Sequence, residues 1–246
     1  ATWQITPPNP AYQSHNASYQ GNANQADDWI FTKCLELDEN KVYKLSFDYA
    51  SVGMYWPQNL EIFAGDAPES SNMYLFLDTI LNFNNNLAQT REIYFTVDNS
   101  SHHYIGFHCF SEPDMLAFNI DNIAIAEMNN PDIALLAVEE PVETCNMGDE
   151  TLRVQIRNLS SQNLVNIPIA FRINDADPVL EIITEPIEPG GFYTYQFQQS
   201  MGMSGFGQYE LTVFTALADD ANHLNDTLVR EYHNYEAALI PWHIGF

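Results

Sequence analysis

The sequence predicts an all-β protein of two consecutive sandwiches, an N-terminal jelly roll over residues 1–129 and a C-terminal immunoglobulin-like β-sandwich over residues 130–235. Three observations carry this. Apolar and polar residues alternate with a period of two along many short runs, clusters of turn-forming residues separate those runs, and a proline-bearing seam divides the chain near its middle. A chain of 246 residues has room for one or two domains with cores of their own. The second stretch has the roughly 100 residues of an immunoglobulin-like sandwich, without the antibody-type cysteine and tryptophan spacing.

The elements follow in order. Residues 29–37 read as a first strand. Tyr43, Leu45, Phe47 and Tyr49 alternate with Lys44, Ser46 and Asp48, which turns the aromatic set to one face of a strand. Residues 59–64 form another strand, and 69–80 is the one stretch read as a short helix. Ile93, Phe95 and Val97 alternate with Tyr94 and Thr96, and strands are expected at 103–110 and 116–126. The seam Glu127-Met128-Asn129-Asn130-Pro131-Asp132 comes next, where Pro131 discourages a continuous element. Beyond it Leu152, Val154 and Ile156 alternate with Arg153, Gln155 and Arg157, and Ile167, Ile169, Phe171 and Ile173 with Pro168, Ala170, Arg172 and Asn174. Strands at 192–198, 208–216 and 227–233 complete the set. Asn84-Asn85-Asn86, Asp98-Asn99-Ser100 and Pro189-Gly190-Gly191 mark turns between strands.

Composition narrows the function. The 33 acidic against 8 basic residues give a net charge of −25, which repels the phosphates of nucleic acid and of anionic lipid. Neither nucleic-acid binding nor membrane insertion is expected: no run approaches the roughly 20 apolar residues that cross a bilayer. A 46% hydrophobic share with 13% aromatics is too rich for a disordered chain. The histidines show no H-E-x-x-H spacing, and no G-x-S-x-G or Walker loop occurs, so no enzyme is expected. Cys34, Cys109 and Cys145 leave two readings open, a Cys34–Cys109 disulfide or three buried, inert thiols. The opening Ala1-Thr2-Trp3 has no basic region followed by an apolar one, as after removal of a signal or in a piece of a longer chain.

Five segments in order carry a resemblance over the first half. Asp27-Asp28-Trp29-Ile30-Phe31-Thr32, Tyr43-Lys44-Leu45-Ser46-Phe47-Asp48-Tyr49, Leu60-Glu61-Ile62-Phe63-Ala64-Gly65, Tyr104-Ile105-Gly106-Phe107-His108 and Phe118-Asn119-Ile120-Asp121-Asn122-Ile123 resemble strands of the choice-of-anchor J, or cleaved-adhesin, jelly rolls of secreted and surface proteins of Bacteroidetes. Cys34 follows where the usual proline is missing. The second half is similar to cell-adhesion-related domains of the CARDB type, through Cys145-Asn146-Met147-Gly148, the run Thr151–Asn158, Ile167-Pro168-Ile169, Glu188-Pro189-Gly190-Gly191, Gly207-Gln208-Tyr209-Glu210-Leu211 and Asp219-Asp220-Ala221-Asn222. The last residues, from Ile240 to Phe246, resemble the opening strand of a following choice-of-anchor J repeat. Residues 236–246 are therefore expected as a tail able to exchange as a strand with a neighbouring domain or molecule.

The first resemblance implies a structural calcium ion beside the closing strand, at Asp28 and Asp121 with Asp27 as alternate. The charge agrees, since calcium takes six to eight oxygen donors. The competing reading makes these turn and cap residues. Asp219, Asp220, Asn222, Asn225 and Asp226 form a second oxygen-rich loop, read as a solvated turn network ahead of a metal site. For a glycan or a host or matrix protein the ligand-binding candidates are Tyr55 and Trp56, in a connection between two strands. An aromatic pair there either packs over the end of its own sandwich or offers a face to a sugar. Tyr12, Tyr19 and Tyr74 are further candidates, and Trp29 and Phe31 are read as core. The expected function is a non-catalytic adhesion or carbohydrate-binding module pair, secreted or at the cell surface. The alternative is a pair of spacer or accessory modules of a secreted peptidase or other hydrolase.

Overall fold

A computed structural model describes residues 2–6 and 16–237. The chain divides into two compact units between Glu127 and Met128. Each is an antiparallel β-sandwich.

Among its described residues the first unit holds ten strands, β1 (Thr2–Thr6), β2 (Asn16–Gln20), β3 (Asp28–Phe31), β4 (Leu35–Leu37), β5 (Tyr43–Ser51), β6 (Gln58–Gly65), β7 (Met73–Phe83), β8 (Gln89–Phe95), β9 (Ser101–Cys109) and β10 (Ala117–Glu127). One sheet runs β1-β2-β10-β5-β8 and the other β3-β9-β6-β7, with β4 also paired to β9. This is the jelly-roll layout, strands shuttling between two facing layers. The alternation explains the facing. Leu45 and Phe47 from β5, Leu60 and Ile62 from β6, and Ile105 and Phe107 from β9 lie in one buried cluster. Phe47 meets Phe107 edge-on at 5.1 Å across the layers. Each such side chain contributes about 1.5–3 kcal/mol by leaving water.

The second unit holds β11 (Ile133–Glu140), β12 (Asp149–Glu150), β13 (Arg153–Asn158), β14 (Ile167–Ile173), β15 (Val179–Ile183), β16 (Phe192–Gln196), β17 (Met201–Gly202), β18 (Gly207–Thr215) and β19 (Thr227–Asn234). A three-stranded sheet, β11-β13-β16, faces a four-stranded one, β15-β14-β18-β19, and β12 pairs with β17. This three-on-four order is that of an immunoglobulin-like sandwich. Val154, Ile156, Ile169, Phe171, Leu211 and Val213 fill its interior.

Three expectations are corrected. The 69–80 helix is a single 3₁₀ turn, Ser70–Asn72, followed by strand β7. Leu75 and Leu77 face the core while Tyr74 and Phe76 face out, so both faces are apolar and the alternation is hidden. The 29–37 strand is broken into β3 and β4, both on β9. All three thiols are free, and Cys34 and Cys145 are exposed rather than buried. Cys34 lies beside Tyr104 of β9, whose pKa its side chain raises, while Cys109 lies at the other end of β9, opposite Asp28. Five residues of strand span roughly 17 Å, far beyond the reach of a disulfide. Residues 238–246 of the tail, and Tyr12, lie outside the described residues.

Candidate functional site

The expected ligand-binding pair sits at one end of the first sandwich, on the β5–β6 connection. Three connections meet there. Ser51 N–H donates to Asn85 O at 2.9 Å and Val52 N–H to Ala117 O at 2.8 Å, while Asn84 Nδ2 donates to Met54 O at 3.2 Å. Gly53 turns the chain in the left-handed region, φ +94°, and a Cβ there would lie 3.0 Å from Trp56 Cζ3. The turn thus needs glycine twice, for its backbone and for the indole folded back over it. Tyr55 meets Trp56 edge-on at 6.2 Å. Tyr55 is 82% exposed and Trp56 37%, with Val52, Met54, Leu87 and Leu116 also exposed around them. Trp56 packs on its own loop and keeps part of its surface in water. Beside it, the Asn85 amide donates to Tyr49 O and Leu87 O, both at 2.9 Å.

Sequence reasoning missed a second aromatic feature. Trp29 and Phe31 are not core. They are half-buried on the outer face of β3, where Trp29 stands opposite His108 on β9. Phe31, Trp29, His108 and Phe110 form a stacked row with centroid separations of 5.9, 4.3 and 5.9 Å. A Cβ on Gly106 would lie 3.1 Å from the indole and 2.8 Å from Met73 Sδ, so the bare strand position admits the ring. The His108 imidazole lies between two carboxylates, Nε2 at 2.9 Å from Asp27 and Nδ1 at 3.1 Å from Glu61. Both contacts are hydrogen bonds in the doubly protonated ring, which donates from each nitrogen.

The calcium candidates are placed as follows. Asp27 is engaged with His108. Asp28, on β3, accepts a hydrogen bond from the Tyr19 hydroxyl at 3.4 Å, and its carbonyl accepts one from Trp3 Nε1. Tyr19 itself is buried in the core, which pushes its hydroxyl pKa up, and is no surface candidate. Asp121 is on β10, in the other sheet, opposite Asp48 of β5. It borders an apolar cavity of about 290 Å³ lined by Ile5, Ile30, Phe31, Phe107 and Ile120. Among the described residues, the one group of three such side chains with ligand atoms within 4.8 Å of one another is Asp220, His223 and Asp226 in the second unit. Its geometry is that of a turn network. Asp220 accepts from the backbone N–H groups of Ile133 and Asn222, and Asp226 from the Thr215 hydroxyl, with His223 Nδ1 at 2.9 Å.

The second unit also carries a polar cavity of about 480 Å³, bordered by Glu143, Asn174, Gln208, Tyr209, Glu210, Glu231, Tyr232, His233 and Tyr235. No described helix is long and apolar enough to cross a membrane.

No protein-family model matches the chain, and no curated protein does. Among solved structures it is similar to the K3 cleaved adhesin domain of Lys-gingipain from Porphyromonas gingivalis, at 16% identity over 51% of this chain and 84% of that one, with a TM-score of 0.40. It is also similar to a GH2 beta-galacturonidase from Eisenbergiella tayi, at 8% identity over 86% of this chain and 36% of that one, TM-score 0.37. A Parabacteroides merdae beta-glucuronidase gives 10% identity over 87% of this chain and 28% of that one, TM-score 0.37. The chain spans well under half the length of either glycosidase. None of these likenesses bears on substrate or activity.

Proposed function

We propose that the chain is a non-catalytic adhesion or carbohydrate-binding module pair of a larger secreted or surface protein, with a glycan held at the Tyr55–Trp56 loop cluster. The observation that carries this is the exposure of Tyr55 and Trp56 on a connection that is bonded to the Asn84–Asn85 turn and to Ala117 of β10. Large exposed aromatics cost solubility, and sheet ends hold such loops rigidly enough to present them. The sequence motifs shared with choice-of-anchor J and CARDB-type domains support the adhesive, extracellular reading.

A glycan array probed with the wild type, Tyr55→Ala and Trp56→Ala tests it. The wild type is expected to bind, and both variants to lose the signal. Tyr55→Ala is the cleaner variant, because a side chain so exposed costs within about 0.5 kcal/mol of stability when removed. A wild type without hits, or a Tyr55→Ala variant that binds as well, refutes the assignment and leaves the spacer alternative.

A further inference from the structure

The inward row of β1 is covered at one end and bare at the other. Trp3 and Ile5 stand on the same face of the strand, opposite Tyr19 and Ala17 of β2, both of which are buried. Trp3 packs edge-on against Tyr19 at 5.6 Å and Phe118 at 5.1 Å. Its indole N–H donates to Asp28 O at 3.2 Å, which ties β1 to β3 of the facing sheet. Ile5 has the same inward parity and is 65% exposed. It borders the apolar cavity of about 290 Å³, which Ile30, Phe107, Ile120 and the 40%-exposed Ile123 also line. An inward isoleucine left in water forfeits the burial that its parity sets up. β1 is also the outermost strand of its sheet, so alternate N–H and C=O groups along it have no ladder partner among the described residues. Lysine, proline or a bulge commonly blunts such an edge, and β1 has no charged residue, no proline and no register shift against β2. Apolar cover and a strand partner are thus wanting at one place.

The residues beyond Ala237 have the chemistry to supply both. Ile240, Trp242, Ile244 and Phe246 alternate with Pro241, His243 and Gly245, the period of a strand with one apolar face. From Ala237 onward there is no acidic side chain, in a chain that carries 33. β1 has no charged side chain either, so the two segments meet without the repulsion that a net charge of −25 sets up elsewhere. Seven extended residues span roughly 23 Å, more than the roughly 17 Å of a five-residue strand. Pro241 lacks an N–H and is tolerated in an edge strand. Length selects the donor. With residues 240–246 laid along β1, only Ala238 and Leu239 remain to reach back to Ala237, whose N–H donates to Asn146 of the second unit at 3.2 Å. Those links cover roughly 11 Å at full extension. The same segment of a second molecule approaches β1 under no such constraint.

We propose that residues 240–246 of a second copy add as a strand to the free edge of β1, with their apolar row filling the cavity over Ile5. The interaction is independent of the Tyr55–Trp56 cluster. Each copy offers one such segment and one edge, so copies associate head to tail. Sedimentation velocity of the whole chain over a range of concentrations, in low and in high salt, tests this. Self-association is expected to rise with concentration and to strengthen with salt, which screens the repulsion between two acidic molecules. A chain ending at Ala237 should stay monomeric. Ile5→Glu and Ile123→Glu, at positions already exposed, should each weaken association at least about tenfold. Their melting temperatures show that the fold survives, and two positions are used so that one misfolded variant leaves the other to report. Tyr55→Ala should associate undiminished. A monomeric wild type, self-association unchanged by removal of residues 238–246, undiminished association of a folded Ile5→Glu or Ile123→Glu variant, or its loss in Tyr55→Ala overturns the proposal.

Discussion

Asn234 is the residue on which the second unit's loop packing most depends, and its removal has a calculable cost. The side chain is fully buried. Its Nδ2 donates to the carbonyls of Met203 at 2.8 Å, Met147 at 3.1 Å and Gly205 at 3.1 Å, and its Oδ1 accepts from the Met147 N–H at 2.8 Å. One amide thus ties the segment before β12 to the segment after β17, with Met147 and Met203 both buried beneath. In Asn234→Ala the Met147 N–H and the buried carbonyls of Met147 and Met203 lose this partner, at about 1–3 kcal/mol for each orphaned group. A loss of about 3–5 kcal/mol follows, against a typical total of about 5–15 kcal/mol. For a unit of this size the second-unit melting transition should fall by ~10–20 °C. Asn234→Asp preserves the shape and the acceptor but deletes the donors and buries a charge, so it should be at least as damaging. Scanning calorimetry with urea titration measures both. A loss below about 1 kcal/mol for Asn234→Ala, or a neutral Asn234→Asp, refutes the clasp and the accounting built on it.

Two further predictions follow from the same kind of reasoning. His223 has its pKa raised above the ordinary 6.5 chiefly by its hydrogen bond to Asp226, then by the charges of Asp226 and Asp220, with desolvation opposing. Because the folded state holds this proton more tightly, the stabilisation is full below the unfolded pKa and is lost as pH rises through the folded one. The urea midpoint of wild type relative to His223→Gln should therefore decline from about pH 6 upward, and a flat difference contradicts the pairing. The thiols give a simpler check. Cys34 and Cys145 are exposed and should react with a thiol reagent in the native protein, whereas Cys109 is buried, which pushes its pKa up, and should react after unfolding. A Cys34–Cys109 disulfide in a non-reducing mass measurement contradicts the β9 geometry.

The strands that could be read from the sequence are those with one wet face. Tyr43–Tyr49 declares itself because Lys44, Ser46 and Asp48 face solvent while Leu45 and Phe47 fill the core. β7 does not, because Tyr74 and Phe76 make its outer face as apolar as its inner one, and a continuous apolar run fits a helix as well as a strand. The same limit misplaced Trp29. An aromatic residue in a strand reads as core, and only the absence of a side chain at Gly106 and the presence of His108 across the ladder make room for it outside. Tyr55 and Trp56 were legible as lying in a connection, since they stand between two clear strands. Leu87 and Leu116 were not, since they join the cluster through Ser51–Asn85 and Val52–Ala117 hydrogen bonds between segments distant in sequence.

Register decides what the outer face of the second unit carries. β19 carries Glu231 and His233 on one parity and Arg230 and Tyr232 on the other. In the register found, the acids meet Glu210 outside and Tyr232 enters the core. A slip of one residue would turn every side chain of the strand over. Arg230 would then project outward beside Glu210, cancelling the like-charge pair, while Glu231 and His233 would be driven among Leu211 and Val213. Burying an unpaired carboxylate there costs several kcal/mol, whereas the repulsion between exposed Glu210 and Glu231 costs on the order of 1 kcal/mol or less. The core therefore fixes the register and the surface inherits the acidic pair.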